Sequence, residues 1–381
     1  MNKREDILAA KIKALHDQGL HRKRGVTSEP GMVNFSSNDY LSLATEEKIK
    51  RAYREGYAKY PSGSGGSPVI CGYHRIHRDF EQDIARALQV DDAILFSSGY
   101  AANLGLMAVL AQTGAHLILD KGSHASFYDG IKLAQVPYTR YAHNNMITLA
   151  QKLKCAPSNP IIITEGVFSM GGQQAPLNDI LMLGKPYDAL CMVDEAHSFG
   201  LIGDHGLGLV QRYRLSQEEI PLRIIPFGKA FAGQGAVIAG HQVWIDALTQ
   251  YARSYIYSTA ISPALTYGLR HSFYFLYDAD DRRRKLQDLV HYFSEQVRLS
   301  PLKWCRSKTA IQYLILGCPY LAVKYAQLLQ AKSIVCQAVR VPTVSAQQTG
   351  LRVVLNYHHD QKDIDYLFRQ LHVIHDATFT H

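Results

Sequence analysis

The chain has 381 residues, 47% hydrophobic and 19% charged, a composition that argues against disorder, collagen or a coiled coil. Its formal charge is +8, a mild surplus that suits an anionic substrate or carrier and does not call for nucleic acid. Six cysteines, at 71, 155, 191, 305, 318 and 336, include no CxxC pair, so a zinc ribbon or disulfide framework is not expected and reduced cytoplasmic thiols are.

Residues 3–18 carry Ile7, Leu8, Ile12 and Leu15 at helical spacing and predict an amphipathic helix. Charges interrupt this stretch, unlike a signal peptide, and no apolar run reaches the ~18 residues that span a bilayer. HRKRG, 21–25, reads as a solvated basic turn. NFSSNDYLSL, 34–43, predicts a short strand and turn, and a charged helix follows over 45–59. PSGSGGSP, 61–68, is the sharpest break in composition. Beyond it, apolar runs at 93–96, 116–119, 160–164, 189–194, 223–228 and 236–240 alternate with helical stretches at 77–89, 100–111, 124–135 and 176–184. Strands apolar on both faces and separated by helices predict a mainly parallel sheet covered on both sides. After about 275 the pattern changes. A long helix holding DADDRRRK is followed by strands at 311–316, 334–340 and 351–356 and helices at 319–331 and 360–373, a small α/β unit.

Several familiar signals fail. GDHGLG, 203–208, has the wrong glycine offsets for a dinucleotide fingerprint, and GVFSMG around Ser169 has one residue too many for a nucleophile elbow. His74 and His77 lack further ligand partners, so no metal is expected. GSGGS, 63–67, reads equally as an anion cradle or a connector. SSGYAAN, 97–103, follows a strand and opens a helix, where free amides suit a phosphate. Asp194 ends an apolar strand, where open α/β sheets place ligands; the alternative is a helix N-cap. Lys229 lies among small and apolar neighbours in FGKAFAGQGA, where desolvation favours a nucleophilic amine; the alternative is a loop lysine. A Schiff-base lysine, a carboxylate at a strand end and phosphate-binding amides are the parts that pyridoxal phosphate requires.

The order of these parts carries a resemblance. GSGGSPVICGYHRIHRDFEQDIA, FSSGYAANLG, DKGSHAS, TEGVFSMGGQQAPL, VDEAHSFGLIG, FGKAFAGQGA and YIYSTAISP resemble the motifs of the α-oxoamine synthases, fold-type I pyridoxal-phosphate enzymes, in family order. SKTAIQYLILG and VRVPTVSAQQTGLRVVL resemble the oxononanoate-forming branch. The resemblance implies a homodimeric α/β transferase with an N-terminal arm over 1–45, a large mainly parallel-sheet cofactor domain over 46–275 and a smaller C-terminal α/β domain over 276–381. It implies condensation of L-alanine with a pimeloyl thioester, on coenzyme A or acyl carrier protein. Other branches, such as a glycine acetyltransferase or a long-chain acyl amino-ketone synthase, and a non-catalytic cofactor-binding subunit, are the alternatives.

By the same resemblance Lys229 anchors the cofactor and moves the α-proton, Asp194 pairs with the pyridine nitrogen and His124 stacks on the ring. Ser169 and His197 bond the phenolic oxygen. Gly99 and Tyr100 offer amides to the phosphate, and Ser258 and Thr259 reach it from the neighbouring subunit. Asn38 and Arg352 hold the amino-acid carboxylate; without the family, Arg352 reads as an edge-strand surface residue. Four positions depart from the family: Pro226 stands where Ser or Thr is common, Gly171 for an acid, Phe199 for Thr and Pro68 for Arg.

Overall fold

The structure is a computed structural model describing residues 2–25, 31–157 and 159–379. Contacts divide the chain into two units, one of residues 39–169 and 174–283, the other of 1–38, 170–173 and 284–381.

The first unit is built on a seven-stranded sheet. Across it run Asp92–Phe96, Ala236–Gly240, Leu222–Pro226, Leu190–Asp194, Pro160–Glu165, His116–Asp120 and Tyr138–Tyr141. Ala236–Gly240 is antiparallel to both neighbours, and every other pairing is parallel. Asp92–Phe96, Pro160–Glu165 and Ala236–Gly240 are buried at every position, which is why they read as unbroken apolar runs. Successive residues serve opposite faces. Ile163 and Met192 pack with Leu106, Met107, Phe127 and Ile131 of the helices Gly99–Ala111 and Ala125–Ala134. Ile162, Cys191 and Val193 pack on the other face with Leu149, Leu153, Leu177 and Ile180. Each fully buried aliphatic or aromatic side chain contributes roughly 1.5–3 kcal/mol, so the two layers hold the sheet's ends in register.

Two helices, Glu47–Lys59 and Pro263–Tyr277, cross at glycines. A Cβ on Gly56 would lie 2.4 Å from the Ala264 carbonyl oxygen, and one on Gly268 would lie 2.0 Å from the Tyr53 ring. Alanine at either site would force the helices apart.

Some elements were not expected. Tyr138–Tyr141 is an edge strand followed by the helix Met146–Lys154, and the helices Gln242–Tyr251, Arg253–Ile256 and Pro263–Tyr277 occupy the stretch after the last strand. GSGGS is tied to the segment around Ala260 and is not a loose connector. Its Gly66 carbonyl accepts the Ala260 N–H at 3.0 Å, and Ser64 Oγ donates to the Ala260 carbonyl at 2.8 Å. His74 and His77 start the helix Arg75–Leu88, where His77 Nδ1 accepts the His74 N–H at 2.9 Å. No group of residues suited to hold a metal occurs among the described residues.

The second unit has a three-stranded antiparallel sheet with Gly350–Val354 between Gln337–Val339 and Ile311–Ile315. The run expected as one strand over 334–340 breaks at Cys336. Its first part, Ile334–Val335, pairs in parallel with Val33–Asn34 instead. Helices Pro319–Gln330 and Gln361–Phe379 belong to the unit, as does most of the long helix Asp280–Leu299, which holds most of the expected DADDRRRK run. Lys3–Asp17 is helical as expected and carries a capping box from Asn2 and Glu5, but it buries none of its residues. Ile7 is 50% and Leu8 59% exposed, so its apolar stripe is uncovered within the chain. Among the described residues, no helix is long and apolar enough to cross a membrane.

Candidate active site

Asp194 is the last residue of Leu190–Asp194 and is buried. Its Oδ1 accepts the Ala196 N–H at 2.9 Å, so it does cap the turn that follows. Its Oδ2 accepts from Asn103 Nδ2 at 3.3 Å. Asn103 comes from the helix Gly99–Ala111 and also donates to Ser126 Oγ at 3.0 Å. Ser126 in turn lies 2.8 Å from His124 Nδ1, and His124 caps the helix Ala125–Ala134. One chain of polar contacts therefore links Asp194 to the His124 ring through Asn103 and Ser126.

Burial pushes the Asp194 carboxyl upward; the nearby Lys229 ammonium, the Ala196 N–H and Asn103 pull it back. Burial pushes His124 toward its neutral form, and Asp194 opposes that while Lys229 adds to it. Lys229, Asp194 and His124 thus lie within electrostatic reach of one another. Lys229 is half-buried in the turn after Leu222–Pro226. That turn is closed by the Phe227 N–H on the Gly235 carbonyl at 2.9 Å and the Gly233 N–H on the Phe227 carbonyl at 2.9 Å. The buried rings of Phe227 and Phe231 pack at 4.6 Å beside it.

His197 follows Asp194 by three residues and is buried, with Nδ1 2.6 Å from the Tyr40 hydroxyl. The intervening Glu195 pins this loop. It accepts the N–H groups of Leu209 at 2.8 Å and Val210 at 2.9 Å, the Ser198 hydroxyl, and Arg223 Nη2 at 3.2 Å. Phe199, one of the family departures, is buried and stacks on Phe231 at 5.6 Å. Ser169 is half-buried, and its N–H donates to Glu165 Oε2 at 3.3 Å.

Gly99 opens its helix after Ser98, whose Oγ accepts the Ala101 N–H at 3.1 Å. The amides of Gly99 and Tyr100 stand in that unsatisfied first turn. A Cβ at 99 would lie 2.7 Å from Pro226 Cγ. The proline that replaces the usual hydroxyl is therefore pressed against the glycine of the amide turn. It contributes no hydrogen-bond donor there. The Tyr100 hydroxyl itself donates to Asp129.

Ser258 and Thr259 follow the helix Arg253–Ile256 and line a pocket with Pro68, Tyr73, Glu81 and Ser97. Arg352 and Asn38 lie in the other unit. Arg352 Nη2 donates to Asn38 Oδ1 at 2.9 Å. The strand Gly350–Val354 is central and Arg352 is buried, so it is not an edge-strand surface residue.

Sequence reasoning assigned no role to Tyr40, Asn103, Glu165 or Glu195. All four fall inside motifs already quoted. Their signal was a polar residue within or at the end of an apolar element, which needs a partner when buried.

The family model for aminotransferase class I and II matches residues 30–371. The 8-amino-7-oxononanoate synthase of Marinobacter nauticus is 34% identical over 373 residues, covering 95% of each chain. That of Photobacterium profundum is 36% identical over 380 residues, covering 96% of each. Among solved structures, 8-amino-7-oxononanoate synthase from Francisella tularensis is 30% identical with a TM-score of 0.80, covering 92% of this chain and 98% of its own. The serine palmitoyltransferase of Sphingomonas wittichii is 26% identical with a TM-score of 0.91, covering 99% of this chain and 98% of its own.

Proposed function

The chain belongs to the aminotransferase class I and II family, and from that premise we propose that it condenses L-alanine with a pimeloyl thioester, with loss of carbon dioxide, to form 8-amino-7-oxononanoate, a step of biotin biosynthesis. The observation that carries this reading is the end-to-end likeness to synthases of that name. Pyridoxal 5'-phosphate is the cofactor, and a cytoplasmic homodimer is the form in which we propose it works.

The residues present fit that cofactor. A buried acid and a half-buried lysine act on each other, and the imidazole beside them is favoured neutral. Asn103 Oδ1, on the side chain that donates to Asp194, and Ser123 Oγ, next to His124 in the chain, are buried without a hydrogen-bond partner. The first helical turn is kept clear of a side chain at Gly99.

When bound, pyridoxal phosphate withdraws electrons from the α-carbon of the amino acid. Lys229 Nζ would hold the group until the amine of alanine displaces it, and the freed Lys229 amine would then take the α-proton. Asp194, steadied by Asn103 and the Ala196 amide, would keep a proton on the ring nitrogen. His124 would pack against the ring. Ser169 and His197, the latter oriented by Tyr40, would hold the phenolic oxygen. The amides of Gly99 and Tyr100 would hold the phosphate, and Ser258 and Thr259 would serve it from the partner subunit. Arg352 and Asn38 grip the alanine carboxylate, a task suited to a guanidinium fork. The α-carbon bonds to the thioester carbonyl and the thiol leaves. The alanine carboxyl then departs as carbon dioxide, and a proton returns to the same carbon.

The likeness to a serine palmitoyltransferase supports a second reading, a long-chain acyl amino-ketone synthase. Competition among alanine, glycine and serine against acyl thioesters of several lengths separates the two. Preference for alanine and the pimeloyl chain supports the first reading; preference for serine and a long chain replaces it.

A further inference from the structure

Glu165 ends the strand Pro160–Glu165 and stands in register with Asp194 on the neighbouring parallel strand. Residues so paired point to the same face, with strands about 5 Å apart. Glu165 is 2% and Asp194 3% exposed. Like charges on adjacent strands in so dry a site oppose one another, which favours one of the two carboxyls uncharged.

The donors around them decide which keeps the charge. Asp194 receives the Ala196 N–H at 2.9 Å and the Asn103 amide at 3.3 Å. Glu165 receives the Ser169 N–H at 3.3 Å, while its Oε1 is buried without a hydrogen-bond partner of normal geometry. We infer that Glu165 is a positioning residue that works uncharged, holding Ser169 beside the site while the carboxylate charge stays on Asp194.

The groups facing Glu165 agree with this. Burial and the Asp194 charge push its pKa upward and so suppress its dissociation, against a smaller pull from Lys229 in the turn after Leu222–Pro226 and from the Ser169 and His124 backbones. Asp120, at the end of the other neighbouring strand, is engaged by His143 at 2.9 Å and the Asn144 N–H at 2.8 Å. Glu195, next to Asp194 in the chain, pairs with Arg223.

The inference rests on the function proposed above only in its catalytic sense; the protonation itself is testable without cofactor. An uncharged Glu165 keeps in the fold a proton that the unfolded chain gives up near its usual value of about 4.3. The stability linked to it is full below that pH and is lost as pH rises toward the higher folded value. Glu165→Gln abolishes the titration and keeps the shape. In thermal melts of the cofactor-free proteins, the variant should gain on the wild type by roughly 2–3 °C per pH unit across that window. With pyridoxal phosphate, Glu165→Gln should keep kcat within about fivefold of wild type, whereas Glu165→Ala, which strips Ser169 of its acceptor, should lose more.

Parallel melting curves overturn the inference. So does a Glu165→Gln protein that fails to fold or loses as much activity as Glu165→Ala, because glutamine is the neutral isostere. If the wild type neither binds pyridoxal phosphate nor turns over, the proposed function fails instead, and the melts still report on Glu165.

Discussion

Replacing Arg223 by methionine tests how the loop carrying His197 is held. Arg223 lies in Leu222–Pro226, is 4% exposed, and places Nη2 3.2 Å from Glu195 Oε1. Removing one partner of a buried ion pair costs about 3–5 kcal/mol, because the other charge is left uncompensated. Here Glu195 would retain the Leu209 and Val210 N–H groups and the Ser198 hydroxyl. Arg223→Met should therefore fall at the low end, about 3 kcal/mol. Glu195→Met should fall at the high end, about 5 kcal/mol, since it strands the guanidinium and three further donors. Arg223 would then keep the Leu207 carbonyl, and its Nε already lacks a partner. The double variant buries no charge and should be more stable than Glu195→Met alone. Urea unfolding gives the free energies, and about 3 kcal/mol corresponds to a fall in Tm of roughly 4–6 °C. An Arg223→Met protein within about 1 kcal/mol of wild type, or single costs that simply add in the double variant, would mean that Arg223 and Glu195 do not hold this loop as a pair.

Three further outcomes are expected. Burial pushes His359 down to about 4, and its neutral ring stacks on Phe35 at 4.2 Å while Nδ1 accepts the Asn356 N–H at 3.1 Å. As pH falls from about 6.5 to 4 the unfolded chain takes up a proton that the fold refuses, so about 3 kcal/mol of stability drains away, a slope that His359→Gln should flatten in urea titrations. Asp194→Asn should slow exchange of the alanine α-proton in deuterated buffer by about 100-fold or more, with cofactor retention less affected; unchanged exchange contradicts the role. Arg352→Lys keeps the charge but loses the two-point grip, so the alanine KM should rise and kcat fall, whereas a loss confined to the thioester KM would move Arg352 to the acyl site.

The parallel core was legible because strands buried on both faces leave unbroken apolar runs such as PIIIT and ALCMVD. The same property hid the direction of Ala236–Gly240, since an apolar run reads alike both ways. Tyr138–Tyr141 escaped notice because only Tyr141 of its four residues is buried, the pattern of an edge strand. The break at Cys336 is set by tertiary pairing with Val33–Asn34, some 300 residues away, and leaves no local mark. In the site, Lys229 and Asp194 drew attention through their apolar surroundings. Asn103 and Glu165 did not, because their meaning depends on facing Asp194 across the sheet and helix. Pro226 was visible as a missing hydroxyl, but its packing on Gly99 was not.

Decarboxylative condensation leaves three products that can be counted against one another. The purified protein, with pyridoxal phosphate, is given carboxyl-labelled alanine and a pimeloyl thioester, and labelled carbon dioxide, free thiol and 8-amino-7-oxononanoate are quantified together. All three should form in equal amounts, and none of them with Lys229→Ala. Thiol release without carbon dioxide, or product formation that survives the loss of Lys229, would contradict the proposed condensation.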